Sequence, residues 1–473
     1  MASVSVAALA GGLVELDEAT LGSFAAGLDG SLISQDDAGY EEARAVWNAT
    51  VVKRPALIAR CAGAGDVKRS LAFARRHGLL ISVRGAGHNI AGSALCEGGL
   101  TIDLSQMRTV AVDADAGTAR VQPGATLGDV DGATLPLGKA IPVGINSSTG
   151  IAGLTLGGGF GWLSRKYGLT IDSLLSAEVV TADGRELTAS EAENADLFWA
   201  LKGGGGNFGI VTSFEFRLRD AGPDLLCGLI VHPASSGREV LAEWRKFTAT
   251  ASDDMTVWTV LRAAPPLPFL PEAVHGTEVV VLAFVYAGDP AAGERELAPL
   301  RAYGSPHGEH IGVMPFAAFQ QAFDPLLTPG SRNYWKSHNF AGIEDGLIDL
   351  LLESAGSLPS PQSEIFVAQV GGKSARIAAD SAAYPHREAA FVMNVHTRWE
   401  DAADDERCIG WARRFFDAAA AYATGGVYVN FETDAQDPAR VTAAYGANYE
   451  RLRTVKAKYD PENVFRTNLN VRP

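Results

Sequence analysis

The first clear hydrophobic pattern consists of two apolar runs on either side of an amphipathic stretch. Ala56–Ala62 (ALIARCA) has the length and composition of a short buried strand. Asp66–His77 repeats apolar residues on one helical face, ends in basic residues and is followed by Gly78, as expected for a helix and its C-terminus. Leu79–Val83 predicts a second strand. The pattern therefore predicts a β-α-β unit that runs into a glycine-rich loop at residues 84–89.

Shorter alternating runs continue to about residue 220 and predict hairpins and single strands. Asp-Ala-Gly at 115–117 and Asp-Gly at 183–184 are turn signals. Thr126 and Asp129 have the spacing of a capping box, which predicts the start of a helix. The strand and hairpin segments are Leu100–Leu104, Thr109–Val121, Ala177–Thr188 and Phe214–Leu218.

The pattern changes around Ala221–Pro223, where longer alternating segments begin. In residues 224–425 these segments are separated by helical stretches such as Arg407–Ala423. Residues 447–473 predict a last helix, ended by Asp460-Pro461, and an extended tail. The clearest strands of the middle region are Glu278–Tyr286, Ile365–Val370 and Phe391–Trp399.

Composition narrows the classes of function. With 47% hydrophobic and 20% charged residues, the chain has the balance of a folded enzyme. A net charge of -15 argues against a nucleic-acid partner, and any bound phosphate must be held by backbone N–H groups or a few placed side chains. No run of eighteen apolar residues occurs, so we expect no membrane partner. The segment Met1–Gly12 lacks the basic residues of a secretory signal, which predicts a cytoplasmic protein.

The cysteines are too far apart to suggest a metal site or a disulfide framework. None of the four belongs to a CxxC pair. We expect no bound metal and free, mostly buried thiols at Cys61, Cys96, Cys227 and Cys408.

Glycine collects in three clusters, Gly85–Gly87, Gly157–Gly161 and Gly203–Gly209. Such clusters suit loops where the backbone approaches a ligand, but close packing of turns explains them equally well. The chain has no GxxxxGK[ST] sequence, which excludes a P-loop. His88 directly follows the first cluster and is, from this pattern alone, either a hydrogen-bonding loop residue or a nucleophile beside a planar cofactor.

Five longer motifs occur in a fixed order along the chain. They are RGAGHNIAG (84–92), TGIAGLTLGGGFGWLSRKYGLTIDSLL (149–175), VVTADG (179–184), DLFWALKGGGGNFGIVT (196–212) and NYERLRTVKAKYDPENVFRTNLNVRP (448–473). Together they resemble the FAD-linked oxidases of the vanillyl-alcohol-oxidase superfamily, in particular the bacterial members of its berberine-bridge-enzyme-like branch. The resemblance runs from about Arg54 to Leu218 and resumes from Tyr449 to Pro473.

The resemblance implies an α+β fold. A two-subdomain, PCMH-type FAD-binding domain would be joined to a substrate domain whose antiparallel sheet is covered by helices. We expect the FAD-binding domain at residues 1–222 (core 52–220) and the substrate-binding domain at 223–425. Residues 426–473 would form a C-terminal segment that returns to the FAD-binding domain.

The resemblance also implies FAD as the cofactor, attached covalently through His88 only. In this family the histidine of the glycine-rich loop is linked to the flavin 8α-methyl, and the loop cradles the pyrophosphate with backbone N–H groups. Members with a second link use a cysteine at the position of Asn146, so a single link is implied here. Thr149 stands near the flavin face, where a small residue favours an oxidase over a dehydrogenase.

The implied FAD-binding residues extend over all the glycine-rich motifs and the C-terminal tail. Leu469 stands where a glutamine is common, so only its neighbours Asn468 and Asn470 are carried over there. The full set is Arg84, Gly85, Ala86, Gly87, His88, Asn89, Gly92, Ser93, Gly124, Thr149, Gly150, Gly153, Gly158, Gly159, Gly161, Ile210, Val211, Asn468 and Asn470.

Neither catalytic base used in the family has a counterpart here. Phe431 occupies the position of the tyrosine that ends a YxNY motif, and the position of a glutamate used by plant relatives falls at Arg376. The protein therefore uses another group, or a substrate such as a neutral amine that needs no base.

Alternation along two predicted strands supplies the remaining catalytic candidates. Each strand carries a row of polar residues on one face, which either lines a substrate cavity or faces solvent. We take Tyr428, Asn430 and His396 as candidate catalytic residues, and Tyr334 and Lys336 as further candidates. The two rows are Tyr428, Asn430 and Glu432, and Asn394, His396 and Arg398.

The expected function is that of an FAD-dependent oxidase. It would transfer hydride from a small-molecule alcohol, sugar or amine to flavin N5, and oxygen would reoxidise the flavin to give hydrogen peroxide. Two alternatives stay open: an N-heterocyclic amine oxidase of the hydroxynicotine type, and a flavin-binding protein with dehydrogenase activity or no turnover. The expected partners are a small-molecule substrate and oxygen, and the expected assembly is a monomer or weak homo-oligomer.

Overall fold

A computed structural model describes residues 3–434 and 438–473. The first 220 residues form many short strands and mostly short helices. The strands are β1 (Val4–Ala7), β2 (Leu13–Leu16), β3 (Ser31–Ser34), β4 (Leu57–Arg60), β5 (Ile81–Arg84), β6 (Leu100–Asp103), β7 (Val110–Asp113), β8 (Thr118–Val121), β9 (Lys139–Ala140), β10 (Leu174–Val180), β11 (Glu186–Ser190), β12 (Ile210–Arg217) and β13 (Arg219–Asp220). The helices are α1 (Glu18–Ala26), α2 (Tyr40–Arg44), α3 (Ala64–His77), α4 (Leu127–Thr134), α5 (Ile151–Leu156), α6 (Ser164–Tyr167) and α7 (Ala195–Leu201).

The predicted β-α-β unit is confirmed within a four-stranded sheet of order β3-β4-β6-β5. Strands β4 and β5 both pair in parallel with β6, and α3 connects them. The helix ends at Gly78, whose φ of 65° is the left-handed conformation that glycine adopts most easily. This geometry places the glycine-rich loop at the carboxyl end of β5, where ligands commonly bind in open α/β sheets.

The predicted hairpins form a second sheet of five antiparallel strands, in the order β11-β10-β12-β8-β7. Gly117 and Gly184, with φ of 66° and 85°, lie at the two hairpin turns. The capping box is also confirmed: Thr126 accepts a bond from the backbone of Asp129, whose carboxylate accepts one from the backbone of Thr126.

The middle region contains one large antiparallel sheet, of order β17-β14-β16-β15-β19-β20-β18. Its strands are β14 (Asp224–Pro233), β15 (Met255–Ala263), β16 (Glu278–Tyr286), β17 (Gly308–Pro315), β18 (Arg332–Phe340), β19 (Glu364–Gln369) and β20 (Phe391–Trp399). The helices are α8 (Gly237–Thr250), α9 (Pro290–Arg301), α10 (Phe316–Gln321), α11 (Asp345–Ala355) and α12 (Asp405–Ala419). This confirms the α+β fold with a helix-covered antiparallel sheet.

Alternation along the strands gives the large sheet two different faces. One face packs an apolar core against α8, α9, α11 and α12, using residues such as Val257, Ile365 and Met393. The opposite face carries aromatic and polar residues, among them Trp258 and His396, and faces the first 220 residues. The helices therefore leave one side of the sheet available for a site.

One predicted strand is wrong. Tyr428–Glu432 was expected to be extended, with alternate residues on one face, but Val429–Phe431 forms a 3₁₀ turn. The Tyr428 carbonyl accepts a hydrogen bond from Phe431 N–H, and Phe431 packs among the rings of Phe160 and Trp335. These tertiary contacts favour the tight turn over an extended segment.

The C-terminal segment forms α13 (Pro438–Tyr445) and α14 (Tyr449–Tyr459), which pack against the first 220 residues. The predicted last helix is confirmed, and Leu452 and Val455 lie in the same core as Phe214. Among the residues that the structure describes, no helix has both the length and the apolar composition needed to cross a membrane.

Candidate functional site

A cavity of about 390 Å³ lies between the first 220 residues and the open face of the large sheet. One wall contains the loop that follows β5, the start of α5 and the Gly205–Gly206 turn. The other wall is formed by β15, β19 and β20, and residues 428–432 and 465–469 complete the lining. The cavity therefore brings together residues that are far apart along the chain.

Twelve of the residues expected to bind FAD line this cavity. The backbone of the loop is accessible because Gly87 adopts a φ of 78° and Gly153 has no protein atom within 4 Å of where a Cβ would lie. The twelve are Gly85, Ala86, Gly87, His88, Asn89, Ser93, Thr149, Gly150, Gly153, Ile210, Val211 and Asn468.

The other expected residues lie behind the wall, and close protein packing accounts for several of them. A Cβ on Gly124 would lie 2.1 Å from the Leu104 carbonyl oxygen, and one on Gly161 would lie 1.9 Å from that of Val143. For the second glycine cluster, most members therefore serve packing of turns. The residues outside the lining are Arg84, Gly92, Gly124, Gly158, Gly159, Gly161 and Asn470.

His88 is held at the cavity wall by aromatic stacking. Its ring lies 4.4 Å from the Trp47 ring, centroid to centroid, with an angle of 23° between the planes. Its Nε2 atom is shielded from solvent and has no hydrogen-bond partner among the described residues. Burial lowers the pKa of His88 to about 4, so the imidazole is neutral at pH 7 and keeps a free nitrogen lone pair.

The charges around the cavity agree with a diphosphate held by backbone amides. Arg262 is the only lysine or arginine among the described residues that line it, and this guanidinium is already paired with Glu364. The wall formed by the glycine-rich loop instead presents backbone to the cavity, and successive backbone N–H groups can bind anions. In addition, Asn468 has a buried Oδ1 without a protein partner in the described part of the chain. The lining therefore suits FAD.

The half of the cavity beside the large sheet is mainly aromatic. Trp258 stacks on Trp162 at 4.2 Å between ring centroids, and Phe431 meets Phe366 and Trp335 edge to face at 5.8 and 5.4 Å. Such a surface favours a flat apolar molecule. The aromatic lining residues are Trp47, Phe160, Trp162, Trp258, Phe323, Trp335, Phe366, Tyr428, Phe431, Tyr445 and Phe465.

Glu364 is the centre of a buried polar network in this half. Its Oε2 accepts a hydrogen bond from Arg262 Nη1 at 2.6 Å, and its Oε1 lies 3.3 Å from His396 Nδ1. The other ring nitrogen of His396 lies 3.1 Å from Asn333 Oδ1. Burial opposes ionisation, but Arg262 and His396 hold the pKa of Glu364 at about 2. Both nitrogens of His396 are thus already engaged.

Tyr428 also lies on the cavity wall with its oxygen already held. The hydroxyl accepts hydrogen bonds from Gly159 N–H at 3.1 Å and from Asn430 Nδ2 at 3.0 Å. Asn430 Nδ2 also donates to the Leu154 carbonyl, which fixes its orientation. Burial raises the pKa of Tyr428 to about 12, so the phenol stays protonated at neutral pH.

The remaining sequence candidates are distributed differently. Asn394 and Glu432 line the cavity, whereas Arg398, Tyr334 and Lys336 do not. Tyr334 donates its hydroxyl proton to Asp434, and Lys336 forms an ion pair with the same carboxylate at 2.9 Å. Their positions suit a structural ion-pair network beside the site.

Sequence reasoning missed Trp47, Arg262 and Glu364. Trp47 lies in an irregular segment, and no spacing in the sequence relates it to His88. Arg262 and Glu364 become neighbours only through the antiparallel register of β15 and β19, in which they are directly paired. A polar residue at the start of an apolar strand was the one available signal for Glu364.

Comparisons with known proteins identify relatives over almost the whole chain. A profile described as an FAD-binding domain matches residues 55–190, and one described as berberine and berberine like matches residues 427–472. An FAD-linked oxidoreductase, YgaK, of Bacillus subtilis (strain 168) is 30% identical, covering 94% of this chain and 97% of its own.

Two further matches concern hydroxynicotine oxidases. The (R)-6-hydroxynicotine oxidase of Paenarthrobacter nicotinovorans is 31% identical, covering 94% of this chain and 97% of its own. The crystal structure of 6-hydroxy-D-nicotine oxidase from Arthrobacter nicotinovorans superposes with a TM-score of 0.83 at 28% identity, covering 94% of this chain and 98% of that one.

Proposed function

Because this chain belongs to the berberine-bridge-enzyme-like family of FAD-linked oxidoreductases, we propose that it is an oxidase acting on a small aromatic amine. Bound FAD supplies the hydride acceptor at N5, and its reoxidation by oxygen yields hydrogen peroxide. Residues 1–222 and 426–473 would bind FAD, and residues 223–425 would supply the substrate wall.

The proposed FAD contacts follow from the cavity lining. The backbone of residues 85–89 faces the pyrophosphate, and Thr149 lies at the flavin. His88 carries the single covalent link, to the flavin 8α-methyl. Its free, neutral Nε2 supports this role, since a protonated imidazole has no lone pair to form the bond.

One observation carries the choice of an amine. Apart from His88, every described carboxylate and imidazole that lines the cavity already has a protein partner. Glu364 is bound to Arg262, and Glu432 to Arg440. An alcohol must lose a proton as hydride leaves, which needs a free base, whereas a neutral amine can lose hydride from its α-carbon without one.

The catalytic candidates take roles that need no proton acceptor. Tyr428 has both oxygen lone pairs occupied and offers its O–H as a donor to the bound substrate. Asn430 fixes the direction of that donor by bonding to Tyr428 and to the Leu154 carbonyl. His396 is a positioning residue, because it holds Glu364 and Asn333 in place on the open face of the sheet.

The test is a screen of aromatic amines, alcohols and sugars with hydrogen peroxide as the readout, followed by pH profiles for the amines that react. We expect kcat/KM to follow the neutral fraction of each amine, so that the inflection moves with the pKa of the substrate. An inflection that stays at one pH for amines of different pKa would indicate a base on the enzyme. Oxidation of alcohols or sugars alone would contradict the proposal.

A further inference from the structure

Asn394 is a buried amide on the cavity wall that makes no hydrogen bond with the rest of the described chain. It lies on the open face of β20, its side chain is 1% exposed, and neither its Nδ2 nor its Oδ1 has a protein partner in residues 3–434 and 438–473. Leaving a buried amide unpaired costs about 1–3 kcal/mol. A ligand that completes both bonds would remove this cost.

Other polar groups of the same wall are already satisfied. Asn333 and Asn430 each bond to neighbouring protein groups, and Arg262, Glu364 and His396 bond to one another. The wall therefore offers no uncompensated charge next to Asn394. What it offers is one amide, with a donor and an acceptor side by side.

The surroundings of Asn394 are flat and apolar. Its neighbour across β19 is Phe366, which stacks in parallel with Trp258 at 6.1 Å and meets Phe431 edge to face. Trp335, on the next strand, has a buried indole Nε1–H without a partner among the described residues and also lines the cavity. Aromatic walls with few polar groups favour a planar ring and offer little to a polyhydroxylated sugar.

We propose that Asn394 determines specificity by binding an uncharged, planar amide: a ring lactam or carboxamide at the end of the substrate that contacts the sheet. Asn394 Nδ2–H donates to the carbonyl of the ligand, and Oδ1 accepts from its N–H. This inference rests on the proposed function for the location of the substrate. A carboxylate would bring a second negative charge towards Glu364, and a cation would find no unpaired carboxylate.

The test measures binding by isothermal titration calorimetry on the FAD-loaded protein, with 2-pyridone and benzamide as amide probes. Benzoate, benzylammonium and glucose are the comparison probes. We expect the two amides to bind most tightly. Asn394→Leu should weaken amide binding about tenfold, because it removes two neutral hydrogen bonds.

Asn339→Leu is the matched control. Asn339 is also a buried asparagine whose amide atoms have no partner in the described chain, but it does not line the cavity. Both variants should keep FAD and unfold at a temperature no lower than wild type, since each replaces an unpaired buried amide. Only Asn394→Leu should change the affinity for amides.

Equal amide affinity in Asn394→Leu and wild type would overturn the proposal, as would tighter binding of benzoate, benzylammonium or glucose. Because binding is measured without turnover, the two proposals can fail separately. Asn394-dependent amide binding without oxidation of any amine would leave this inference standing and reject the proposed function. Amine oxidation without such binding would do the reverse.

Discussion

At the scale of single residues, His88 combines two properties that a covalent flavin link requires. Stacking on Trp47 fixes the ring at the cavity wall, and burial keeps its pKa at about 4. A ring that is both held and neutral at pH 7 is ready to act as a nucleophile. The same burial would make an imidazolium costly, so His88 is poorly suited to act as a general acid.

The tether can be tested by acid precipitation of the purified protein. Yellow colour should stay with the wild-type pellet, whereas His88→Ala should release essentially all of its FAD. His338→Ala is the matched control, because His338 is also buried with a pKa lowered to about 4 but stacks on Phe416 away from the cavity. Release of FAD from the wild type would show that no covalent link exists.

Single residues also show where sequence reasoning stops. His88 could be located because its role depends on a local motif, and eleven further expected residues line the cavity for the same reason. Glu364 and Arg262 could not, because their pairing depends on the register of two strands about a hundred residues apart. Phe431 was identified as a missing hydroxyl, but the 3₁₀ turn that surrounds it depends on tertiary packing.

At the scale of elements, the regular units were predictable wherever local signals agreed. The β-α-β unit has a glycine at the helix end, and both hairpins have glycine at their turns, so pattern and turn chemistry indicate the same structure. The order of the seven-stranded sheet carries no such local signal. It depends on which faces bury apolar surface once all strands are present.

Helices α4 and α10 enclose a carboxyl group that should make stability depend on pH. Asp131 on α4 accepts a hydrogen bond from Gln320 on α10 at 3.2 Å, and burial raises its pKa to about 7. The folded state therefore holds this proton more tightly than the unfolded chain does. Its contribution to the free energy of unfolding falls as pH rises from about 4 to about 7, by about 4 kcal/mol in total.

Asp131→Asn should remove this dependence, because an amide keeps the bond to Gln320 without ionising. We expect the variant to unfold at a higher temperature than wild type at pH 8, and the two to be nearly equal at pH 4. Thermal unfolding followed by circular dichroism across this range measures the difference. A constant difference between pH 4 and pH 8 would show that Asp131 is not the titrating group.

At the scale of the whole molecule, two structural units share one cavity, and buried charged groups connect parts that are distant in sequence. Arg165 on α6 donates to four carbonyls of the middle region, those of Ala251, Ser252, Met255 and Val370. The C-terminal segment is attached to the first unit in a similar way. The position of Asn468 at the cavity depends on that attachment.

Lys456 is the central contact of this attachment. It is 0% exposed, forms an ion pair with Asp460 Oδ2 at 2.6 Å, and donates to the carbonyls of Asn207 and Phe465 at 2.8 Å each. Replacing one partner of a buried pair leaves the other charge uncompensated, which costs about 3–5 kcal/mol. Lys456→Met should lower the free energy of unfolding by about this amount and expose residues 460–473 to proteolysis.

Lys458, on the same helix, provides the matched control. It also forms an ion pair, with Asp196 at 2.7 Å, but its side chain is 59% exposed, so water replaces the interaction at little cost. Lys458→Met should leave both the free energy of unfolding and the proteolysis pattern close to those of the wild type. Urea unfolding and limited trypsin digestion of the two FAD-loaded variants measure this. Equal effects of the two substitutions would mean that the C-terminal segment is held by its apolar contacts alone, and that the buried charge contributes nothing to closing the cavity.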